Sequence, residues 1–142
     1  MSSHDATTAE GTILGLQEIV RSSNRVHVCG SQTKSGFHPQ TDEATILSTQ
    51  LLQGVISYDP QEFVITGLAG TIVSEVVGIL ASERQYLPFD PLLTKSRATV
   101  GGTVASNAAG PGRFRFGGIR DFLWASALSM GVEIVFAEEG KW

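Results

Sequence analysis

The sequence predicts one domain of mixed helices and strands, and three observations carry that expectation. Its 142 residues are 42% hydrophobic and 17% charged, enough apolar material for a single packed core. Apolar residues recur at helical spacing in two stretches, around residues 13–20 and 72–80. Short β-prone runs, bounded by Gly, Pro and Asp, lie between and after those stretches.

The elements follow in chain order. Ile13, Leu16, Ile19 and Val20 share a helical face behind Thr7 and Thr8 as capping residues, which predicts a helix over 8–22. Arg25–Cys29 (RVHVC) reads as a strand ending at Gly30, and the polar loop GSQTKSGFHPQTDE follows. Ile46–Leu47, Val55–Tyr58 and Phe63–Leu68 read as strands. The Asp59-Pro60-Gln61 turn predicts that the last two pair antiparallel. From Thr71 the period changes: Ile72, Val76, Ile79 and Leu80 form one face of an amphipathic helix over 71–83. Leu87-Pro88-Phe89-Asp90-Pro91 is expected to stop it. A short helix is expected over 102–108, then strands over 122–130 and 132–137, with a hairpin turn at Glu138-Glu139-Gly140. Lys141 and Trp142 read as the start of a return strand, so the chain is expected to be a piece of a longer fold. The edge near Val132–Phe136 should then be covered by a second copy or by further chain.

Composition excludes several classes. One cysteine, Cys29, leaves no internal disulfide framework and no cysteine-based zinc site. No apolar run approaches the roughly 20 residues of a membrane helix, and MSSHDATTAE lacks the layout of a secretory signal. The expectation is a cytoplasmic protein, reaching a membrane surface only through a complex. The net charge of −4 is segregated: residues 1–83 carry −6 and residues 84–120 carry +5. A nucleic-acid binder shows its basic excess over the whole domain, so a local anion site is the better reading and no nucleic-acid partner is expected.

Two glycine-bearing segments are candidates for that site. Gly30-Ser31-Gln32-Thr33-Lys34-Ser35-Gly36 follows a strand, where backbone N–H groups and hydroxyls can converge on phosphate oxygens; the plain alternative is an ordinary loop. Thr99-Val100-Gly101-Gly102-Thr103-Val104-Ala105-Ser106-Asn107 places paired glycines at a helix N-terminus, which gives close backbone approach and free N–H groups for an anion. Its plain alternative is close packing of two elements. Of the two, this second segment is the stronger candidate. Neither is a Walker loop or a GxGxxG fingerprint.

The order GSQTKSG, LAGT at 68–71, LPFDP at 87–91 and VGGTVASNAAGPGRFRFGGIRD at 100–121 resembles the FAD-binding domain of the vanillyl-alcohol-oxidase, or PCMH-type, flavoenzymes. Within that family it is most similar to the FAD-binding subunits of bacterial glycolate oxidases, over residues 8–142. The resemblance implies an α+β fold in two subdomains with FAD between them, the first with a small parallel-containing sheet and the second with an antiparallel one. Residues 8–90 would form the first subdomain, and 91–142 would begin a second, truncated one. It implies non-covalent FAD, because no family attachment motif matches. Gly30, Ser31, Gln32, Thr33 and Lys34 become the pyrophosphate loop, with Ser31 and Gln32 standing where family loops commonly carry glycines. Gly70 and Thr71 approach from the next turn, and Pro88 sits near the flavin–ribityl region. Gly101, Gly102, Thr103, Ser106 and Asn107 line the pyrophosphate and isoalloxazine, with Gly110 and Pro111 close by. Gly102→Val is therefore expected to abolish FAD binding.

The remaining residues receive plain readings. His4, His27 and His38 share no metal-ligand spacing, and Cys29 reads as a small buried hydrophobe. Arg113, Phe114, Arg115 and Phe116 read as a loop with charges outward and rings inward, Arg120-Asp121 as a cap or ion pair, and Trp124 as core. The implied function is the FAD-binding portion of an oxidoreductase acting on a 2-hydroxy acid such as glycolate. It would work with other subunits of an oxidase complex or as a homo-oligomer. The acid/base residue belongs to a substrate domain outside this chain, so none is named. The alternative is a non-catalytic subunit or remnant of the same fold used for partner binding.

Overall fold

The computed structural model describes residues 13–34, 36, 43–127 and 133–137. Val26–Cys29 (β1) and Thr45–Ser48 (β2) pair in parallel, Val26 against Thr45 through Cys29 against Ser48. A parallel pair needs a crossover, and residues 30–44 supply it, beginning with the first candidate loop. The helix Ile13–Ser22 (α1) lays Leu16 against Leu47 and Leu52, with Ile19, Val26 and Leu68 packed alongside. The expected start of this helix at residue 8, His4, His38 and the turn at 138–140 lie outside the described residues.

Val55–Asp59 (β3) and Val64–Leu68 (β4) form the expected antiparallel hairpin. Its turn is held by Asp59, whose Oδ1 accepts from the backbone N–H groups of Gln61 and Glu62 at 3.0 and 3.2 Å. Leu123–Ala127 (β5) and Glu133–Ala137 (β6) complete a four-stranded sheet in the order β3-β4-β6-β5, antiparallel throughout. This corrects the expectation of an open edge near Val132–Phe136. β6 is an inner strand, paired with β4 on one side and β5 on the other, so its backbone groups are satisfied within the chain. Strand order in a sheet follows long-range pairing, which local pattern does not record. The same pairing joins strands from either side of residue 90 in one sheet.

Val73–Ser82 (α2) buries Val73, Val76 and Leu80 and exposes Ser74, Glu75 and Ser82, as its period predicts. The prolines do not stop it. Arg84 adopts a left-handed conformation (φ 61°), and the N–H groups of Arg84 and Gln85 bond back to the carbonyls of Ala81 and Leu80 at 3.1 and 2.9 Å. That is a Schellman closure with arginine in the position glycine usually fills. The freed chain turns Phe89 into the core beside Ile65, Ala69, Ala98, Val100 and Ile119, its ring 5.8 Å from that of Phe122. Burying a ring of this size contributes about 1.5–3 kcal/mol.

The small-residue helix spans Val100–Ser106 (α3), starting two residues earlier than expected and ending at Asn107 in a left-handed conformation (φ 47°). Arg113–Phe116 is a short helix (α4) rather than a loop. Phe114 stands 92% exposed, so the expected inward placement of both rings is overturned. Each helical residue turns by about 100°, and alternation therefore does not sort charges from rings. Phe116 is half-buried, with the Arg115 guanidinium carbon 5.0 Å from its ring centre.

Candidate functional site

β1 ends where the first loop begins, and that end is tied down. Thr49 donates its hydroxyl to the Cys29 carbonyl at 3.2 Å, and Gln50 Nε2 donates to the Gly30 carbonyl at 3.0 Å. Gly30 lies so close to Thr99 that a Cβ there would strike the Thr99 hydroxyl. The first loop thus meets the residue that caps α3, and the two glycine-bearing segments converge. Gln32 holds φ at 53°, left-handed, at a position where the resembling family commonly carries glycine. Cys29 is half-buried rather than buried, and its Sγ accepts from Gln32 Nε2 at 3.6 Å.

The donors of this loop are open. Among the described residues, no backbone N–H from Gly30 to Lys34 has a protein acceptor. Lys34 Nζ is out of solvent contact without a hydrogen-bond partner, although its side chain as a whole is only half-buried. Burial pushes its pKa below the ordinary lysine value. A buried ammonium without a partner is costly, and an anionic ligand would supply the missing acceptors.

The second segment behaves differently. Thr99 caps α3, accepting from the Gly102 N–H at 3.2 Å. The Val100 N–H donates to the Thr71 carbonyl, the Gly101 N–H to the Ala69 carbonyl and the Thr103 N–H to the Thr99 carbonyl, at 2.9, 2.8 and 2.9 Å. The N–H groups of Val100, Gly101 and Gly102, which a helix start leaves without intrahelical partners, are therefore taken, and this corrects the expectation that the paired glycines offer free N–H groups to an anion. Gly101 answers a packing need: a Cβ would sit 2.9 Å from both the Cβ and the carbonyl oxygen of Ala69. Gly102 is more open, with only the Thr99 hydroxyl near its missing Cβ, at 3.0 Å.

Thr71 and Thr103, expected beside the cofactor, are both 0% exposed. Thr71 Oγ1 donates to the Gly54 carbonyl and accepts from its N–H, each at 3.0 Å, and the Thr103 hydroxyl donates to the Thr99 carbonyl at 2.9 Å. These are struts that lock the 69–71 turn to β3 and α3 to its own cap. Gly70 is packed against the Thr49 and Leu52 carbonyls. Ser106 turns its hydroxyl back onto the Gly102 carbonyl at 2.8 Å. Asn107 closes α3 with a buried Oδ1 that has no donor.

Pro88, Gly110 and Pro111 form a second group. Gly110 donates to the Asp90 carbonyl at 2.7 Å, and Gly112 lies against the Pro88 carbonyl. Asp121 Oδ2 accepts from the Gly118 N–H at 2.6 Å, so it is a cap as expected. Arg120 bonds the Val104 and Ala105 carbonyls at 3.2 and 2.9 Å, closing the C-terminal end of α3. A cavity of about 270 Å³ opens where the first loop meets the chain leading into α3, lined by Ser31, Gln50, Gln53, Ile72, Ser96 and Arg97. Four of those residues carried no site signal in the sequence and Ile72 only a packing one, because the cavity is made by chain crossings rather than by a motif. Among the described residues no group of three or more His, Cys, Asp or Glu side chains could hold a metal ion. Nor is any described helix long and apolar enough to cross a membrane.

An α+β fold whose first strand ends in backbone donors without acceptors among the described residues, beside a half-buried lysine whose ammonium is out of solvent contact and unpaired among them, fits a domain for a phosphate-bearing cofactor. Residues 6–137 match the FAD binding domain family, and the chain belongs to it, within the PCMH-type, vanillyl-alcohol-oxidase flavoenzymes. It is 38% identical over 103 residues to the glycolate oxidase subunit GlcE of Escherichia coli strain K12, covering 72% of this chain and 29% of that protein. It is 30% identical over 142 residues to the mitochondrial D-2-hydroxyglutarate dehydrogenase of Danio rerio, covering 96% of this chain and 25% of that protein. The chain thus spans less than a third of the length of these relatives. Solved structures show the fold. An alkyldihydroxyacetonephosphate synthase matches with TM-score 0.67 at 17% identity, over 94% of this chain and 30% of its own. A glycopeptide hexose oxidase matches with TM-score 0.62 at 23% identity, over 87% of this chain and 26% of its own.

Proposed function

We propose that this chain holds FAD non-covalently as the cofactor-binding part of an oxidoreductase that oxidises a 2-hydroxy acid such as glycolate. The observation that carries the reading is the Lys34 ammonium, out of solvent contact and without a partner among the described residues, beside the backbone donors of Gly30–Lys34 that have no acceptor among those residues. That arrangement calls for a ligand with several anionic oxygens, and the diphosphate of FAD has them. When bound, FAD supplies the two-electron acceptor for oxidation of the hydroxyl carbon. The chain's own residues bind and orient. The loop N–H groups and Lys34 hold the diphosphate, and the open face of α3 at Gly102 and Ser106 lies against the cofactor. The Asn107 Oδ1, which lacks a donor among the described residues, would be open to a cofactor hydroxyl, and Pro88, Gly110 and Pro111 would help hold the flavin side.

The substrate class is supported by relatives named for glycolate and D-2-hydroxyglutarate, both 2-hydroxy acids. General acid–base chemistry needs a base within about 3 Å of the substrate hydroxyl. That base comes from a further domain, from other subunits of an oxidase complex or from a second copy. Titration with FAD tests the binding step: the purified chain takes up flavin with an absorption band near roughly 450 nm and releases it on denaturation. Glycolate and D,L-lactate with a dye acceptor and excess FAD give no steady turnover with this chain alone. A colourless chain that FAD does not reconstitute refutes the reading and favours a partner-binding role for the same fold.

A further inference from the structure

Arg97 is the one cation among the residues lining the cavity, and neither glycine segment nominated it. The other liners bring hydroxyls at Ser31 and Ser96 and carboxamides at Gln50 and Gln53, with no carboxylate among them. In a chain of net charge −4, a cavity with one guanidinium and no acid selects anions. The turn Thr94–Ser96 that presents Arg97 is bracketed by two non-glycine residues in left-handed conformations, Leu93 (φ 59°) and Arg97 (φ 62°). Such conformations are unfavourable for residues with a Cβ and persist where surrounding structure enforces them.

Here the enforcement is visible. Ala98, next in sequence, is 0% exposed, and its N–H and carbonyl are bonded to the Leu93 carbonyl and the Val73 N–H at 3.3 and 2.8 Å. Arg97 itself is exposed and, among the described residues, has no carboxylate or carbonyl partner. Gln50 is likewise held, by its bond to the Gly30 carbonyl at 3.0 Å. The strain fixes the backbone that carries a free guanidinium at a cavity shared with Ser31 of the first loop.

We infer that Arg97 is a specificity-determining residue for the cofactor's diphosphate: its guanidinium pairs with phosphate oxygens in the cavity it shares with Ser31, Gln50 and Gln53. This rests on the FAD reading above. A cavity of about 270 Å³ is too small for a dinucleotide and suits its diphosphate and adjoining sugar. A planar guanidinium bonds two phosphate oxygens at once, which an ammonium does not. Arg97 thereby adds to Lys34 a second charge for a ligand carrying two phosphates, and it contributes nothing to a flavin without them.

The test uses the whole chain and three probes: FAD, riboflavin and inorganic pyrophosphate. Arg97→Gln is expected to weaken FAD binding about tenfold to hundredfold in a fluorescence titration and to leave riboflavin affinity unchanged. Arg97→Lys restores part of the loss. Pyrophosphate alone, followed by calorimetry, binds the parent chain and loses affinity in Arg97→Gln. FAD affinity within about twofold of the parent in a folded Arg97→Gln chain overturns the inference, as does an equal loss for riboflavin. If the parent takes up no FAD but binds pyrophosphate through Arg97, the FAD reading fails and the anion cavity stands. An Arg97-independent response to pyrophosphate removes the cavity from the account.

Discussion

The first loop and α3 both carry glycines beside hydroxyl residues, yet they spend their backbone donors in opposite ways. From Gly30 to Lys34 the N–H groups have no acceptor among the described residues, and the lysine ammonium is buried without a partner. From Val100 to Thr103 every N–H is bonded within the chain, and Gly101 makes room for Ala69. Missing side chains permit close approach, but they do not say what approaches. On the FAD reading, the approaching group in the loop is the ligand. At α3 it is chiefly the chain's own 69–71 turn, with Gly102 as the partly open exception.

The largest expected effect sits on the packed side. Gly101→Val forces a branched side chain into Ala69 and destabilises by about 3 kcal/mol in urea unfolding, whereas Gly36→Ala, with nothing within 4 Å of its new Cβ, stays within about 0.5 kcal/mol. A Gly101→Val chain of parental stability that has lost only FAD breaks the comparison, because that glycine would then serve the ligand.

Lys34→Met is expected to weaken FAD about tenfold to hundredfold and to stabilise the ligand-free chain by about 1 kcal/mol, because it removes an ammonium that has no partner out of solvent contact. Its pH behaviour has a defined sign. Burial lowers the folded-state pKa of Lys34 below 10.5, so between the lowered value and 10.5 the unfolded chain binds more protons than the folded one. The contribution of Lys34 to stability therefore rises with pH through that window. FAD affinity falls over the same range as the neutral amine loses its hold on phosphate. Comparing FAD titrations of the parent and Lys34→Met across alkaline pH checks both trends.

Arg120→Ala removes two bonds to the C-terminal carbonyls of α3 and costs about 1 kcal/mol, with FAD affinity falling less than for Lys34→Met. Gly78→Ala, on α2 with open space at its Cβ, stabilises by roughly 0.5–1 kcal/mol and leaves flavin binding alone. A binding defect in that variant shows that α2 transmits strain to the loop.

Much of the fold was legible because its signals are local. The period-two and period-3.6 runs located β1, the β3–β4 hairpin and the buried face of α2, and the small-residue run over 98–107 located α3 within two residues. What was not legible depends on long-range partners. The insertion of β6 between β4 and β5 is one case. The left-handed Arg84 that ends α2 before the prolines is another, since arginine carries no turn signal. At the site, Gly30 through Lys34 were visible as a loop after a strand, but the stronger claim rested on α3, whose donors Ala69, Thr71 and Thr99 consume. Arg97, Gln50 and Gln53 had no sequence signature because a cavity lined from four separate stretches of chain leaves none.

On the FAD reading, the first loop, and not the N-terminal turn of α3, supplies the backbone donors for the cofactor's phosphates. Amide chemical shifts of the isotopically labelled chain, followed during titration with ADP and then FAD, read each donor separately. The largest changes are expected at Gly30, Ser31, Gln32, Thr33 and Lys34 with both ligands, and smaller ones at Val100, Gly101 and Thr103. Large shifts at Val100–Thr103 with an unmoved first loop would contradict that assignment.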